Sequence, residues 1–206
     1  MTYRPPNDLR VNCVKKGVEL VTSIAKAKVL VDPMRREVVR LLGERPMTEK
    51  ELARALGLSD PAVGFHLKIL RQSRLVHLFK KEVEEHGIVQ KFYEAKALVY
   101  LISDLGMPLE IERYFMPLNL ERARGVIAAL NVKADKPRDI SDEELVEFAK
   151  VLRSTIVRIA HRYSERQDVN GEELLGMIYR DALNYLRQRP ELLPKNVCFL
   201  LANEFE

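Results

Sequence analysis

Residues 48–76 read TEKELARALGLSDPAVGFHLKILRQSRLV, a pattern of two short helices joined by a tight turn and running into a strand. Thr48 followed three residues later by Glu51 is a capping box, in which two orphan backbone N–H groups are satisfied reciprocally. Leu52, Ala55 and Leu56 are expected on the buried face of the first helix. Gly57 suits the left-handed residue that ends it, having no Cβ to clash. Leu58 is a candidate buried pivot. Ser59 or Asp60 caps the second helix, and Pro61 falls in its first turn, where the missing N–H costs nothing. Val63, Leu67 and Leu70, spaced by four and three, make one apolar stripe.

The residues between them, Ala62, Gly64, Phe65, Lys68 and Arg71, point away from that stripe. A helix packed by one face and offering small, aromatic and basic residues on the other suits insertion into a DNA major groove. His66 belongs in or beside that face, with a partly packed structural histidine as the equal alternative.

Upstream, Val14, Val18, Val21, Ile24, Ala25 and Val29 recur at helical spacing, which predicts a helix from about 14 to 31. Asp32-Pro33 breaks it and starts another, with Asp as cap and Pro first. Val38, Val39, Leu41 and Leu42 give that helix a buried face, and Gly43 is expected to end it. Arg35, Arg36 and Arg40 form its exposed basic side. Downstream of Leu75 the period changes to two, with a turn at Glu84-Glu85-His86-Gly87, which predicts a β-hairpin over about 76–94. Lys80, Lys81 and Lys91 lie where they reach phosphates; Glu82, Glu84 and Glu85 crowd the tip.

The stretches LSDPAVGFHLKILRQSRLV and VLVDPMRREVVRLL and the strand pair after them resemble the core of ArsR-type winged-helix transcriptional regulators, over roughly residues 24–95. Three positions depart from that family's pattern. Gly64 stands where a hydroxyl residue is usual, Phe65 where a polar residue is common, and Arg74 in place of the usual Gly. The resemblance implies a protein mostly α-helical with a small β-hairpin wing. A winged helix-turn-helix domain over 14–103 is followed by a helical region over 104–206. It implies double-stranded DNA as partner. The DNA-facing set is then Thr48, Asp60, Ala62, Gly64, Phe65, His66, Lys68 and Arg71, with Lys80, Lys81 and Lys91 on the wing.

Bulk properties agree. The net charge is +4, but residues 1–95 hold 18 Lys and Arg against 12 Asp and Glu, and residues 96–206 hold 16 against 18. A basic first half fits a nucleic-acid module. No run approaches the ~18 apolar residues of a membrane helix, and no hydrophobic signal segment follows MTYRPPNDLR. A cytoplasmic protein with no membrane partner is expected. Cys13 and Cys198 are too few for a disulfide framework. Residues 1–12, with Pro5-Pro6-Asn7-Asp8, are expected to be mobile.

After the hairpin, ALVYLIS at 97–103 is too short a run to separate strand from helix by period. Its β-branched and aromatic content favours a strand extending the wing sheet. Gly106-Met107-Pro108 and Met116-Pro117 punctuate the next stretch. Three helices are expected beyond: a short one capped by Asn119, a long one capped by Ser141 with Glu144, and one capped by Asn170 with Glu173 that stops before Pro190. In the long helix Leu145, Ala149, Leu152, Ile156, Ile159 and Tyr163 repeat as an unbroken heptad, read as a packing seam. Leu175, Ile178, Ala182 and Tyr185 repeat it in the last helix. The favoured expectation is that this seam forms a homodimer platform; the alternative is a hairpin of the two helices within one chain.

No cofactor is called for, and no catalytic constellation appears: there is no GxSxG, P-loop or GxGxxG. Metal sensors resembling this chain use a CxC pair on the first motif helix, which TEKELARAL lacks. His161 and Glu165, at i and i+4, supply two ligands where Zn²⁺ takes three or four. Two other readings stand beside the DNA one. The domain could be a protein-interaction module, for which Phe65 and Asp60 argue. A small apolar effector could also bind among Met107, Phe115, Met116 and Phe148. A Gly inside a helix costs ~1 kcal/mol relative to Ala, so Gly64 implies close approach to another surface. Gly64→Ala is accordingly expected to stabilise the fold and weaken DNA binding.

Overall fold

The computed structural model describes residues 15–83, 87, 89–103, 106–134 and 136–202. The expectations for residues 1–12, Cys13, Val14 and the turn residues 84–86 lie outside these. The chain divides into two compact units. One holds Ala25–Tyr100, Glu165–Gly171 and the residues up to Glu19. The other holds Leu20–Ile24, Leu101–Ser164 and the residues from Glu172 onward.

The first unit is built on the predicted helix-turn-helix. Strand β1 (Lys16–Val21) leads into α1 (Ile24–Leu30). The single helix expected over 14–31 is thus half strand. Val18 and Val21 are buried, and the strand exists because β4 (Ala97–Ile102) pairs with it. A partner some eighty residues away leaves no trace in local periodicity. Helix α2 (Pro33–Glu44) begins as expected, with the Asp32 carboxylate accepting from Arg35 N at 3.0 Å. It does not end at Gly43, which is helical and buried; Arg45 is the C-cap. A Cβ on Gly43 would stand 2.9 Å from the Leu98 carbonyl oxygen, so this glycine lets helix and strand approach. The basic side expected on α2 is largely taken up internally. Arg36 donates to the Leu30 and Val31 carbonyls at 2.9 and 2.7 Å, closing the C-terminal end of α1. Arg40 pairs with Glu37 at 2.6 Å.

Helix α3 (Glu49–Leu56) carries the full Thr48–Glu51 capping box and ends on Gly57 at φ 65°. Its buried residues are Leu52 and Ala53, whereas Ala55, expected inside, is exposed. Helix α4 (Asp60–Gln72) buries Val63, Leu67 and Leu70. Ser59 is its N-cap, without a side-chain capping bond. Strands β2 (Val76–Val83) and β3 (Val89–Ala95) form the antiparallel hairpin, with an irregular register between Leu78 and Lys80. Strand β4 comes at once after it, but in a separate two-stranded sheet with β1. It is therefore a strand, as its composition indicated, that does not extend the wing.

The second unit is helical. Helix α5 runs over Leu109–Lys133 and passes through Pro117. The break expected at Met116-Pro117 does not occur, and Asn119 is buried inside the helix rather than capping one. Ile111, Phe115, Asn119, Ala123, Ile127 and Leu130 form one buried face, whose packing outweighs the ~3 kcal/mol cost of an interior proline. Helix α6 (Asp142–Ala160) has the predicted Ser141–Glu144 capping box. Tyr163 lies beyond its end in a 3₁₀ turn, so His161 and Glu165 do not share an α-helical face. All six heptad residues, from Leu145 to Tyr163, are buried within the single chain. Helix α6 packs chiefly on α5.

Helix α7 (Gly171–Arg187) starts directly after Asn170. Its buried positions are Leu174, Ile178, Ala182 and Leu186; Ile178 and Ala182 are buried as expected, whereas Leu175 and Tyr185 are half-exposed. A fourth helix, α8 (Lys195–Ala202), was not expected; it buries Val197, Leu200 and Leu201. Glu144 fixes it by accepting from Asn196 N and Nδ2, each at 3.2 Å. These bonds, with those from Ser141, hold the Glu144 carboxyl below its ordinary value. Met107, Phe115 and Phe148 are buried core residues.

Candidate nucleic-acid interface

Burial of Val63, Leu67 and Leu70 turns the opposite side of α4 outward. Phe65 is 62% exposed there, a large apolar side chain with no core to fill. His66 meets its ring edge-on, with centroids 5.9 Å apart. His66 Nδ1 is buried without a hydrogen-bond partner, so this histidine belongs to the packed flank of the helix. Ala62 is half-buried; Lys68 and Arg71 are exposed. The Arg71 guanidinium stands 5.6 Å from the Tyr93 ring centroid, a cation–π contact that orients it.

Gly64 faces elsewhere. A Cβ there would meet Glu49 Oε2 at 3.3 Å, so the close surface inferred from this glycine is the carboxylate of α3. Glu49 Oε1 in turn accepts from the Tyr93 hydroxyl at 3.2 Å. Burial and this neighbouring carboxylate push the Tyr93 phenol above its ordinary value. Gly64→Ala is expected to raise the melting temperature, because the ~1 kcal/mol helix gain exceeds the cost of nudging a flexible Glu. Duplex affinity should stay unchanged, since the new methyl points at α3. A loss of affinity in a titration would return Gly64 to the groove-facing set.

Thr48 is committed to its cap. Its hydroxyl accepts from Glu51 N at 3.2 Å and donates to Glu51 Oε2 at 3.1 Å. Asp60 is exposed in the first turn of α4. Glu49, Glu51 and Asp60 share an open cleft of about 660 Å³ with Lys50, Arg54 and Lys91, so this end of the interface has mixed charge.

The hairpin lysines divide. Lys80 pairs with Glu82 and lies 4.5 Å from the Phe92 ring centroid. Lys81 and Lys91 are direct cross-strand partners and both are exposed. The hairpin base is tied to the helix-turn-helix through Tyr93. Met47 and Tyr93 exchange backbone bonds at 3.0 and 2.8 Å.

Two features escaped the residue-by-residue reading. Arg74 adopts φ 57°, the only positive φ among the described non-glycine residues, a conformation costing about 1–2 kcal/mol for an L-residue. Its replacement of the usual Gly was the available signal. Lys15 donates to the Gly43 carbonyl at 2.5 Å and to Glu94 Oε1 at 3.2 Å, while His77 Nε2 lies 3.7 Å from Glu94 Oε2. Burial pushes the His77 imidazole down, against the pull of Glu94. Nothing in the local sequence indicates this three-way meeting.

Among the described residues no three His, Cys, Asp or Glu side chains are placed to hold a metal ion, and no helix is long and apolar enough to cross a membrane. Comparison with known proteins gives two matches. The "HTH-type transcriptional regulator Rv2034" of Mycobacterium tuberculosis is 47% identical over 49 residues, which are 24% of this chain and 46% of that protein. The chain thus spans about half the length of this relative. Residues 32–77 match the family described as "Bacterial regulatory protein, arsR family", and they cover α2, α3 and α4 through the start of the hairpin. Residues 32–77 are thus similar to the helix-turn-helix segment of the arsR family, in agreement with the winged helix-turn-helix geometry.

Proposed function

We propose that the chain is a sequence-specific DNA-binding transcriptional regulator. Residues 60–72 enter the major groove and the hairpin over 76–94 lies on the flanking backbone. The observation that carries this reading is the pair Lys81 and Lys91, directly opposed on the hairpin of the unit that presents Phe65 and Lys68. Like charges in register destabilise a strand pair, and a phosphate between them removes that cost. Phosphate contacts position such a domain; base contacts specify. Phe65 suits the C5-methyl of thymine, which the major groove exposes.

One 13-residue helix reads few bases, so a pair of copies on half-sites about 34–36 Å apart completes the proposal. With the α6 heptad buried inside each chain, a second copy meets another face. The full chain should sediment as a dimer; a monomer at micromolar concentration overturns this part.

A second reading is a protein-interaction module, for which the exposed Phe65 and the exposed Asp60 argue. Titration of random duplex DNA across a salt series separates the two. A DNA-binding protein loses affinity steeply as salt rises, because neutralised phosphates release counterions. A flat or absent response favours the interaction module. A footprint on DNA upstream of the chain's own coding region then identifies the operator.

A further inference from the structure

Several basic side chains on the first unit have a carboxylate within reach: Arg40 has Glu37, Arg45 has Glu51, Lys80 has Glu82 and Lys15 has Glu94. Lys68, Arg71, Arg74 and Lys96 converge on an open cavity of about 480 Å³ between the C-terminal half of α4 and the base of the hairpin. No carboxylate lines it, and none of the four is ion-paired among the described residues. Gln72, Val76, His77 and Leu78 complete the wall.

The C-terminal end of α4 does not neutralise this charge. It amounts to about half a negative charge, and its carbonyls already accept from the amides of Ser73, Arg74 and Leu75. Two observations set the cavity apart from an ordinary basic surface. Arg74 holds a strained positive φ that glycine would adopt freely, and it places its guanidinium in the lining. His77, also in the lining, keeps both ring nitrogens buried without a hydrogen bond, and the carboxylate beside it, Glu94 Oε2 at 3.7 Å, is not itself in the lining. The site lies toward the C-terminal end of α4, since Ala62 and Arg71 are roughly 14 Å apart along the helix axis at helical rise.

We infer that this cavity is an anion site that takes a phosphate group, held by Lys68, Arg71, Arg74 and Lys96. The phosphate comes either from a free phosphorylated small molecule or from the DNA backbone; only the second source rests on the proposed function. The test uses the full chain and two variants, Arg74→Gly and Lys96→Gln. Arg74→Gly relaxes the backbone, so its fold should survive, as a thermal melt checks.

Calorimetric titration with pyrophosphate, against sulfate at equal ionic strength, reads the free source. Pyrophosphate should bind in preference to sulfate, and each variant should weaken it at least tenfold. The salt dependence of random-duplex binding reads the other source. If the backbone fills the site, each variant lowers the magnitude of the log–log slope by about 0.9 and pyrophosphate shows no preference. Variants that change neither measurement overturn the inference. Retained salt-dependent binding that still responds to Lys91→Ala would then leave the proposed function standing. Pyrophosphate binding in a chain that ignores DNA would do the reverse.

Discussion

Ile156→Asp is expected to unfold the helical second unit rather than to release a folded monomer. Ile156 is 7% exposed within one chain, in the helix α6 that packs chiefly on α5. An aspartate there either buries an unpaired charge or takes up a proton at neutral pH, and both are costly. The expected loss is about 3–5 kcal/mol, the scale of an uncompensated buried charge, a large part of the stability of a domain this size. Circular dichroism should show lost helix at ambient temperature, or a melt lowered by well over ten degrees. A variant that melts like the parent and only sediments more slowly would place this heptad between copies.

The second large effect concerns the hairpin. Lys81→Ala with Lys91→Ala should weaken binding to every duplex alike. Two lost phosphate contacts reduce the slope of log affinity against log salt by about 1.8, which at 0.15 M salt corresponds to about 30-fold in affinity. Relative preference among sequences should hold, because these contacts carry no base information. Phe65→Ala should do the opposite, costing ~1–3 kcal/mol on the preferred sequence and little elsewhere. Competition titrations with specific and random duplexes read both. A double lysine variant that reorders sequence preference would invert the assignment of helix and wing.

The features legible in the sequence obey a physical rule: they are fixed by neighbours a few residues apart. The Thr48–Glu51 and Ser141–Glu144 boxes, Asp32-Pro33, Gly57 and the Val63-Leu67-Leu70 stripe are all local, and all are present. The misreadings share a distant partner. The 16–21 strand needs β4, and Gly43 answers to Leu98 rather than to a helix end. Pro117 is carried through α5 by a face that only the folded unit packs. In the candidate interface, the outward placing of Phe65, Lys68 and Arg71 could be read from helical spacing. The direction of Gly64 could not, because it depends on where α3 sets Glu49.

The bridge between Met47 and Tyr93 divides the hairpin into halves with different lifetimes. Below the irregularity at Leu78–Lys80, Tyr93 is buried and bonded to the loop before α3. Its amide should open to solvent only when the helix-turn-helix itself opens. Beyond that point, from Lys80 to Val83 and from Val89 to Phe92, the residues are exposed or half-exposed, and their amides should exchange with deuterium orders of magnitude faster. A clamp at the base with a freely breathing outer half lets the lysine pair adjust to the width of a groove while the reading helix keeps its seat.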